Sequence, residues 1–123
     1  IVLVVSSRPA APGIAWAKYQ GIPALALDHK LYSDRAHFES QLQGILTTSR
    51  VDLVCLAGFM RLMTPEFVEA WRDRMLNIHP ALLPAFKGLD THARALEAGV
   101  KFAGCTVHLV RPEMDEGPIL GQA

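Results

Sequence analysis

Asn77-Ile78-His79-Pro80 is the stretch that decides the fold, because it ends an apolar strand on two polar side chains. In an extended strand, residues i and i+2 point to the same face. Pro80 lacks an N–H for the strand ladder and biases the residue before it away from helix, so we expect the strand to end here. Asn77 and His79 would then project together from a strand end, where an α/β sheet places its ligand crevice.

The Asn77 amide and the His79 imidazole together suit one kind of chemistry. An amide donates a fixed hydrogen bond, and an imidazole carries a proton near neutral pH. The pair therefore fits a reaction in which a carbonyl oxygen gains charge while an amine loses a proton. Such a pair alone is more often a capped strand end whose side chains bond to nearby backbone, so other residues must decide.

Strand-length apolar runs alternate with helical patterns along the whole chain. Strands are predicted at residues 1–6, 22–27, 51–56, 75–79, 104–110 and 118–122, and helices at residues 12–19, after 33, after 64 and at 91–98. This alternation predicts the α/β class, with a mostly parallel sheet and helices on both faces. A chain of 123 residues suffices for one domain with a core, so we expect residues 1–123 to form a single domain.

Two helix starts are marked by residues that commonly cap helices. We expect Ser33 to cap the second helix, with Asp34 in its first turn. We expect Thr64 to cap the third helix, with Pro65 at the first helical position. The run 51–56 is nearly all apolar, which predicts a strand covered on both faces.

Composition and missing motifs exclude several classes of function. The chain has 12 basic and 12 acidic residues, so no net field draws it toward nucleic acid or a membrane surface. Cys55 and Cys105 lie far apart in apolar runs, which predicts reduced core thiols of a cytoplasmic protein. The sequence lacks a dinucleotide-binding glycine motif, a phosphate-binding P-loop, metal-ligand spacings and a serine-hydrolase elbow, so we expect no metal.

Two loops carry side chains that would matter beside Asn77 and His79. The acidic turn 113–118 can return a carboxylate to the sheet edge, where it would orient an imidazole, although alone it is an ordinary turn. The apolar loop 57–63 could grip a flat heteroaromatic ligand or simply pack on the core. We interpret His108, on a later strand, as a hydrogen-bonded core histidine in preference to a catalytic one.

Three segments in this order resemble the folate-dependent formyltransferases. They are Leu56-Ala57-Gly58-Phe59-Met60-Arg61, Asn77-Ile78-His79-Pro80-Ala81-Leu82-Leu83-Pro84 and Met114-Asp115-Glu116-Gly117-Pro118. The resemblance runs from the first strand to the last residue. It implies a Rossmann-like formyltransferase fold and 10-formyltetrahydrofolate as the formyl donor. The chain is most similar to the branch that formylates the amine of glycinamide ribonucleotide in de novo purine synthesis.

The resemblance also implies a role for particular residues. The family's catalytic residues match Asn77, His79 and Asp115, and Pro80 matches a position beside the ribonucleotide substrate. The matches to the family's folate-binding positions are Arg35, Met60, Arg61, Leu62, Met63, Arg111, Pro112, Glu113 and Met114. The family's earlier strand with a phosphate-binding Gly-Ser-Asn loop, and its C-terminal segment, have no match. We therefore expect an incomplete formyltransferase domain.

Three other functions stay open at this point. Formyltetrahydrofolate deformylases use a similar grouping but tend to have His-His where this chain has His79-Pro80. Methionyl-tRNA formyltransferases usually differ at residues 57–59 and need a separate basic domain. The chain could also be a non-catalytic folate-binding module. The sequence leaves the oligomeric state open, a homodimer included.

Overall fold

The computed structural model describes residues 1–123 and has six strands and four α-helices, which alternate as far as the fifth strand. The strands are β1 (Val4–Ser6), β2 (Ala24–Ala26), β3 (Val54–Leu56), β4 (Met75–His79), β5 (Thr106–Leu109) and β6 (Ile119–Gln122). The helices are α1 (Pro12–Tyr19), α2 (Arg35–Thr48), α3 (Pro65–Ala70) and α4 (Thr91–Glu97). The predicted α/β class is confirmed. The chain divides into two units, residues 1–52 and 53–123, and the single-domain expectation stays a prediction.

The first unit pairs β1 with β2 in parallel, and α1 connects the two strands. Pro12 occupies the first turn of α1, where its missing N–H leaves no helical bond unmade. Ile14 and Ala17 are the buried residues of this helix. Gly21, at φ 73°, follows the end of α1 in a conformation that residues with a side chain rarely adopt. The predicted bounds of α1 are thus confirmed.

The cap of α2 differs from the prediction by one residue. The Asp34 carboxylate accepts the His37 N–H at 2.8 Å, and the extended backbone of Asp34 makes it the capping residue. The Ser33 hydroxyl instead lies 3.4 Å from the His37 ring. Ser33 as the cap is therefore wrong, because both residue types can cap and the sequence does not say which one keeps extended backbone.

The second unit has a four-stranded sheet in the order β3-β4-β5-β6. β3 and β4 are parallel, whereas β5 runs antiparallel to both β4 and β6. No helix separates β5 from β6, which fits an antiparallel connection because a parallel one needs a longer crossover. The buried side chains of this unit include Phe67, Val68, Trp71 and Met75.

The strand β3 is shorter and more open than its apolar sequence suggested. Val54 and Leu56 are half-buried, but Cys55 lies between them on the opposite face and is exposed. The exposure of Cys55 shows that this face of β3 is not covered. The predicted two-sided cover is wrong, and so is the prediction of core thiols, since Cys105 is also only half-buried.

Loop 80–90 is anchored to the second sheet by one buried hydroxyl. Thr106 of β5 is fully buried and donates its hydroxyl to the Ala81 carbonyl at 2.7 Å. The same oxygen accepts the Leu83 N–H at 3.0 Å and the Gln122 side-chain amide at 3.0 Å. The loop is therefore fixed to both β5 and β6.

Gly117 lets the last loop pass close to β5. A Cβ built on Gly117 would overlap the Leu109 carbonyl, so only glycine fits at this position. The Leu109 N–H also donates to the Pro118 carbonyl at 2.9 Å, which fixes the loop against the strand. None of the helices combines the length and the apolar character that crossing a membrane requires.

Candidate active site

β4 presents Asn77 and His79 on the same face, and it ends at His79 as the sequence predicted. Ile78 between them is 45% exposed, whereas His79 is only 4% exposed. Pro80 follows directly and cannot extend the ladder. The strand end therefore holds an amide and a buried imidazole side by side.

The Asp115 carboxylate reaches this strand end from the loop between β5 and β6. Its Oδ2 lies 3.4 Å from Nδ1 of His79. The same oxygen accepts the Gly88 backbone N–H at 2.9 Å. The Asp115 side chain is only 10% exposed, so water screens it little. The structure thus brings Asn77, His79 and Asp115 together.

The second ring nitrogen of His79 also has a partner. Nε2 lies 2.8 Å from the Phe86 carbonyl oxygen, which can only accept a hydrogen bond. Nδ1 faces the Asp115 carboxylate, which is likewise an acceptor when ionised. The doubly protonated, positively charged ring satisfies both contacts, whereas a neutral ring satisfies only one of them as a donor.

His108 stands directly opposite Asn77 on the antiparallel strand β5. Its Nε2 lies 3.3 Å from the Asn77 amide nitrogen and 3.6 Å from Oδ1 of Asp115. Its Nδ1 lies 3.0 Å from the Leu109 carbonyl, an acceptor that a protonated Nδ1 satisfies. Nε2 can then accept one Asn77 amide hydrogen and leave the second for a ligand.

The sequence interpretation of His108 was incomplete. His108 is buried and hydrogen-bonded, as expected of a core histidine, but its partners are two residues of the site. The sequence signal for its position was the spacing of two residues between Thr106 and His108, which puts both side chains on the same face of the strand. Pairing with Asn77 depends on the direction and register of β5, which the sequence pattern did not specify.

The segment Met60–Met63 follows β3 at the edge next to Asn77. Leu56, the last residue of β3, is the partner of Asn77 in the parallel ladder, so the following loop leaves the sheet beside that amide. Met60 and Leu62 are 70% and 53% exposed, and Arg61 and Met63 are half-buried. The loop that begins next to Asn77 in the sheet therefore carries two exposed apolar side chains, Met60 and Leu62.

The segment 111–114 connects β5 to Asp115. The Arg111 guanidinium lies 2.5 Å from the Asp73 carboxylate and donates to the Val110 carbonyl at 2.9 Å, so it already has partners. Pro112 is half-buried, Glu113 is exposed, and Met114 is half exposed. The segment thus lies next to the acid, with the Met114 side chain open to solvent.

Of the other two predicted residues, Arg35 belongs to the first unit and Pro80 directly follows His79. Arg35 is the exposed first residue of α2 in the first unit. Pro80 is exposed, and its carbonyl accepts the Thr91 hydroxyl at 2.8 Å. The structure has no cluster of three or more His, Cys, Asp or Glu side chains suited to a metal ion.

Comparisons with known proteins point to one family. A family model described as formyl transferase matches residues 1–123. A trifunctional purine biosynthetic protein adenosine-3 from Gallus gallus is 48% identical over 122 residues, which cover 99% of this chain and 12% of that protein. A phosphoribosylglycinamide formyltransferase from Bacillus subtilis is 43% identical over 120 residues, covering 98% of this chain and 62% of that protein.

A solved structure agrees with the sequence comparisons. The crystal structure of glycinamide ribonucleotide transformylase 1 from Symbiobacterium toebii matches with a TM-score of 0.96 and 49% identity. The match covers 100% of this chain and 58% of that one. The chain therefore spans about three-fifths of the length of its single-function bacterial relatives.

Proposed function

Since the chain belongs to the formyl transferase family, we propose that its protein transfers the formyl group of 10-formyltetrahydrofolate to the amine of glycinamide ribonucleotide. This is a step of purine biosynthesis, the process in the name of the Gallus gallus relative. The observation that carries the proposal is the convergence of Asn77, His79 and Asp115 at the end of β4. The names of the relatives from Bacillus subtilis and Symbiobacterium toebii support the choice of acceptor.

Asn77 acts on the oxygen of the formyl group. When the amine attacks the formyl carbon, a tetrahedral intermediate forms and its oxygen becomes negative. The Asn77 amide hydrogen that does not bind His108 donates to this oxygen. Losing one such donor commonly costs about a hundredfold to a thousandfold in rate.

His79 supplies positive charge and a proton. Its charged ring stabilises the oxyanion, and it passes a proton toward the folate nitrogen that leaves as the intermediate collapses. Asp115, 3.4 Å from Nδ1, holds the ring in place and stabilises its charge. The proton that the attacking amine loses, directly or through water, replaces the one that His79 gives up, so the overall transfer balances.

The remaining predicted residues bind the two substrates. We assign the folate to Arg35, to the loop Met60–Met63 and to the segment Arg111–Met114, because these positions match the family's folate contacts. The exposed apolar side chains of Met60 and Leu62 suit a flat heteroaromatic ring. Pro80, next to His79, is assigned to the ribonucleotide.

The test uses the full-length protein with 10-formyltetrahydrofolate, in the presence and absence of glycinamide ribonucleotide. Mass spectrometry of the products should show formylated amine that appears only with the acceptor. Formate released without the acceptor would indicate a deformylase, and folate binding without either product would indicate a non-catalytic module.

Two variants test the assignment of roles. We expect His79→Ala and Asp115→Asn to lower kcat by roughly a hundredfold or more, the range for losing acid–base catalysis. His92→Ala is the matched control, because His92 is an exposed histidine of α4 in the same unit. Turnover of His79→Ala within a few-fold of the unmodified protein would contradict the assignment.

The proposal includes a cellular setting. We place the protein in the cytoplasm, which its two unpaired cysteines support. A homodimer stays a prediction, and sedimentation of the full-length protein at several concentrations tests it.

A further inference from the structure

Residues 86–89, here called the clasp segment, contact His79 and Asp115, the two ionisable residues to which catalytic roles are proposed. The Phe86 carbonyl lies 2.8 Å from Nε2 of His79. The Gly88 N–H donates to the Asp115 carboxylate at 2.9 Å. Both contacts use backbone atoms, so the positions of the His79 ring and the Asp115 carboxylate depend on what fixes the backbone of this segment.

In and next to the clasp segment, several residues have a positive φ, which non-glycine residues rarely adopt. Phe86 has φ 53° and Gly88 has φ 81°, and Asp90 just beyond has φ 54°. A non-glycine residue in this left-handed region costs about 1 kcal/mol or more. Contacts from outside the segment must offset that cost.

Arg94 of α4 supplies such contacts. Its Nη1 donates to the Lys87 carbonyl at 2.5 Å and to the Leu89 carbonyl at 3.3 Å. Its guanidinium carbon lies 5.7 Å from the centre of the Phe86 ring, within the range of a cation–π contact. One planar side chain therefore engages three of the four residues of the segment. A lysine carries the charge but lacks the rigid planar fork.

We propose that Arg94 is a positioning residue for the formyl transfer, acting through the clasp segment on His79 and Asp115. The inference rests on the proposed function, since it concerns the same reaction. Arg94 is an exposed residue that contacts neither the imidazole nor the carboxylate itself. Its effect on the reaction is to keep the Phe86 carbonyl against Nε2 and the Gly88 N–H against the carboxylate.

The expected effect of losing Arg94 is a moderate fall in kcat. A misplacement of about 1 Å at a reacting group can cost about a hundredfold. An ion pair of 2.8 Å between Lys87 and Glu116 does not involve Arg94 and still ties the segment to the loop that carries Asp115. We therefore expect kcat of Arg94→Ala to fall about tenfold, which is less than the hundredfold cost of a full misplacement.

The kinetic test compares three variants of the full-length protein. Arg94→Ala should lower kcat about tenfold and leave both KM values within about twofold, because the lost contacts position reacting groups and bind no substrate. Arg94→Lys should give an intermediate kcat. Arg72→Ala is the matched control, since Arg72 is an exposed arginine that pairs with Glu69 on α3. It should retain full activity.

A second readout does not depend on turnover. The Nε2–H proton of His79 should give a protected signal in imidazole NMR spectra of the labelled protein, because it is buried and bound to the Phe86 carbonyl. In Arg94→Ala this proton should exchange with water at least about tenfold faster. In Arg72→Ala its exchange should stay unchanged.

The two readouts separate failure of the inference from failure of the proposed function. An unmodified protein that forms no formylated amine refutes the function, while the NMR comparison still tests the hold on His79. Unchanged kcat and unchanged exchange in Arg94→Ala overturn the inference. An effect on KM alone, or an equal loss in Arg72→Ala, also overturns it. If Arg94→Ala does not fold, Arg94→Lys with an unmodified kcat and exchange rate overturns it as well.

Discussion

Replacing Thr106 by valine tests how the loop beside the site is held. Thr106 is fully buried, and valine has nearly its shape but no hydroxyl. The change removes the donation to the Ala81 carbonyl and leaves the Leu83 N–H without its acceptor. Gln122 retains its other bond, to the Leu83 carbonyl at 2.9 Å. The perturbation is therefore confined to hydrogen bonds of one buried group.

The magnitude follows from these contacts. A buried donor left without an acceptor costs about 1–3 kcal/mol, and losing the bond to Ala81 adds about 1 kcal/mol. We expect Thr106→Val to lower the free energy of unfolding by about 2–4 kcal/mol. Thr106→Ser keeps the hydroxyl and removes one methyl group, so we expect a loss of about 1 kcal/mol.

The assay is urea unfolding of the full-length protein, combined with amide hydrogen exchange at Leu83. In Thr106→Val the unfolding midpoint should fall and the Leu83 amide should exchange at least about tenfold faster. In Thr106→Ser that amide should stay protected. A stability change below about 0.5 kcal/mol in Thr106→Val, the size typical of an innocuous surface substitution, would refute the reasoning.

Substitutions test three further features of the structure. Gly117→Ala should prevent correct folding or lower the unfolding free energy by about 3 kcal/mol or more, because its Cβ would overlap a backbone carbonyl. Gly121→Ala is the control, since it has open space and should cost under about 1 kcal/mol. Equal losses in urea unfolding would contradict this account. Asp34→Ala should lower the unfolding free energy by about 1 kcal/mol and Ser33→Ala by less than half as much, and the reverse order would restore the serine as the cap. Asn77→Ala should lower kcat by about a hundredfold in the formyl-transfer assay. A change in KM alone would contradict the proposal that the Asn77 amide donates a hydrogen bond to the oxyanion.

The parts of the fold that the sequence predicted well depend on local signals. The end of β4 at His79 follows from Pro80, and the start of α3 follows from Thr64 and Pro65. In each case a residue with restricted backbone or a short polar side chain acts on its immediate neighbours. Where two adjacent residues offer the same signal, as at Ser33 and Asp34, the prediction missed by one position.

The parts that the sequence did not predict depend on contacts between distant residues. The alternation of strands and helices predicted the α/β class but not the antiparallel direction of β5, and that direction places His108 opposite Asn77. The Phe86 carbonyl and the Gly88 N–H were also missed, because every residue has such groups and only loop geometry aims them. The spacing before Pro80 predicted that Asn77 and His79 share a strand face, whereas the catalytic roles and the choice of Asp115 came from the family resemblance. The approach of Asp115 to His79 depends on these same long-range contacts.

Because β4 is paired with β5, the two-residue repeat of the strand backbone sets the distance between the Asn77 amide and the His79 imidazole. Asn77 faces His108 and His79 faces Thr106, so these two pairs lie on the same side of the antiparallel ladder, two residues apart. Inserting a single residue into β5 would turn His108 to the other side of the sheet. Insertions in the surrounding loops would leave this spacing intact. Loop exchange between relatives could therefore alter substrate preference while the amide-to-imidazole distance stays constant.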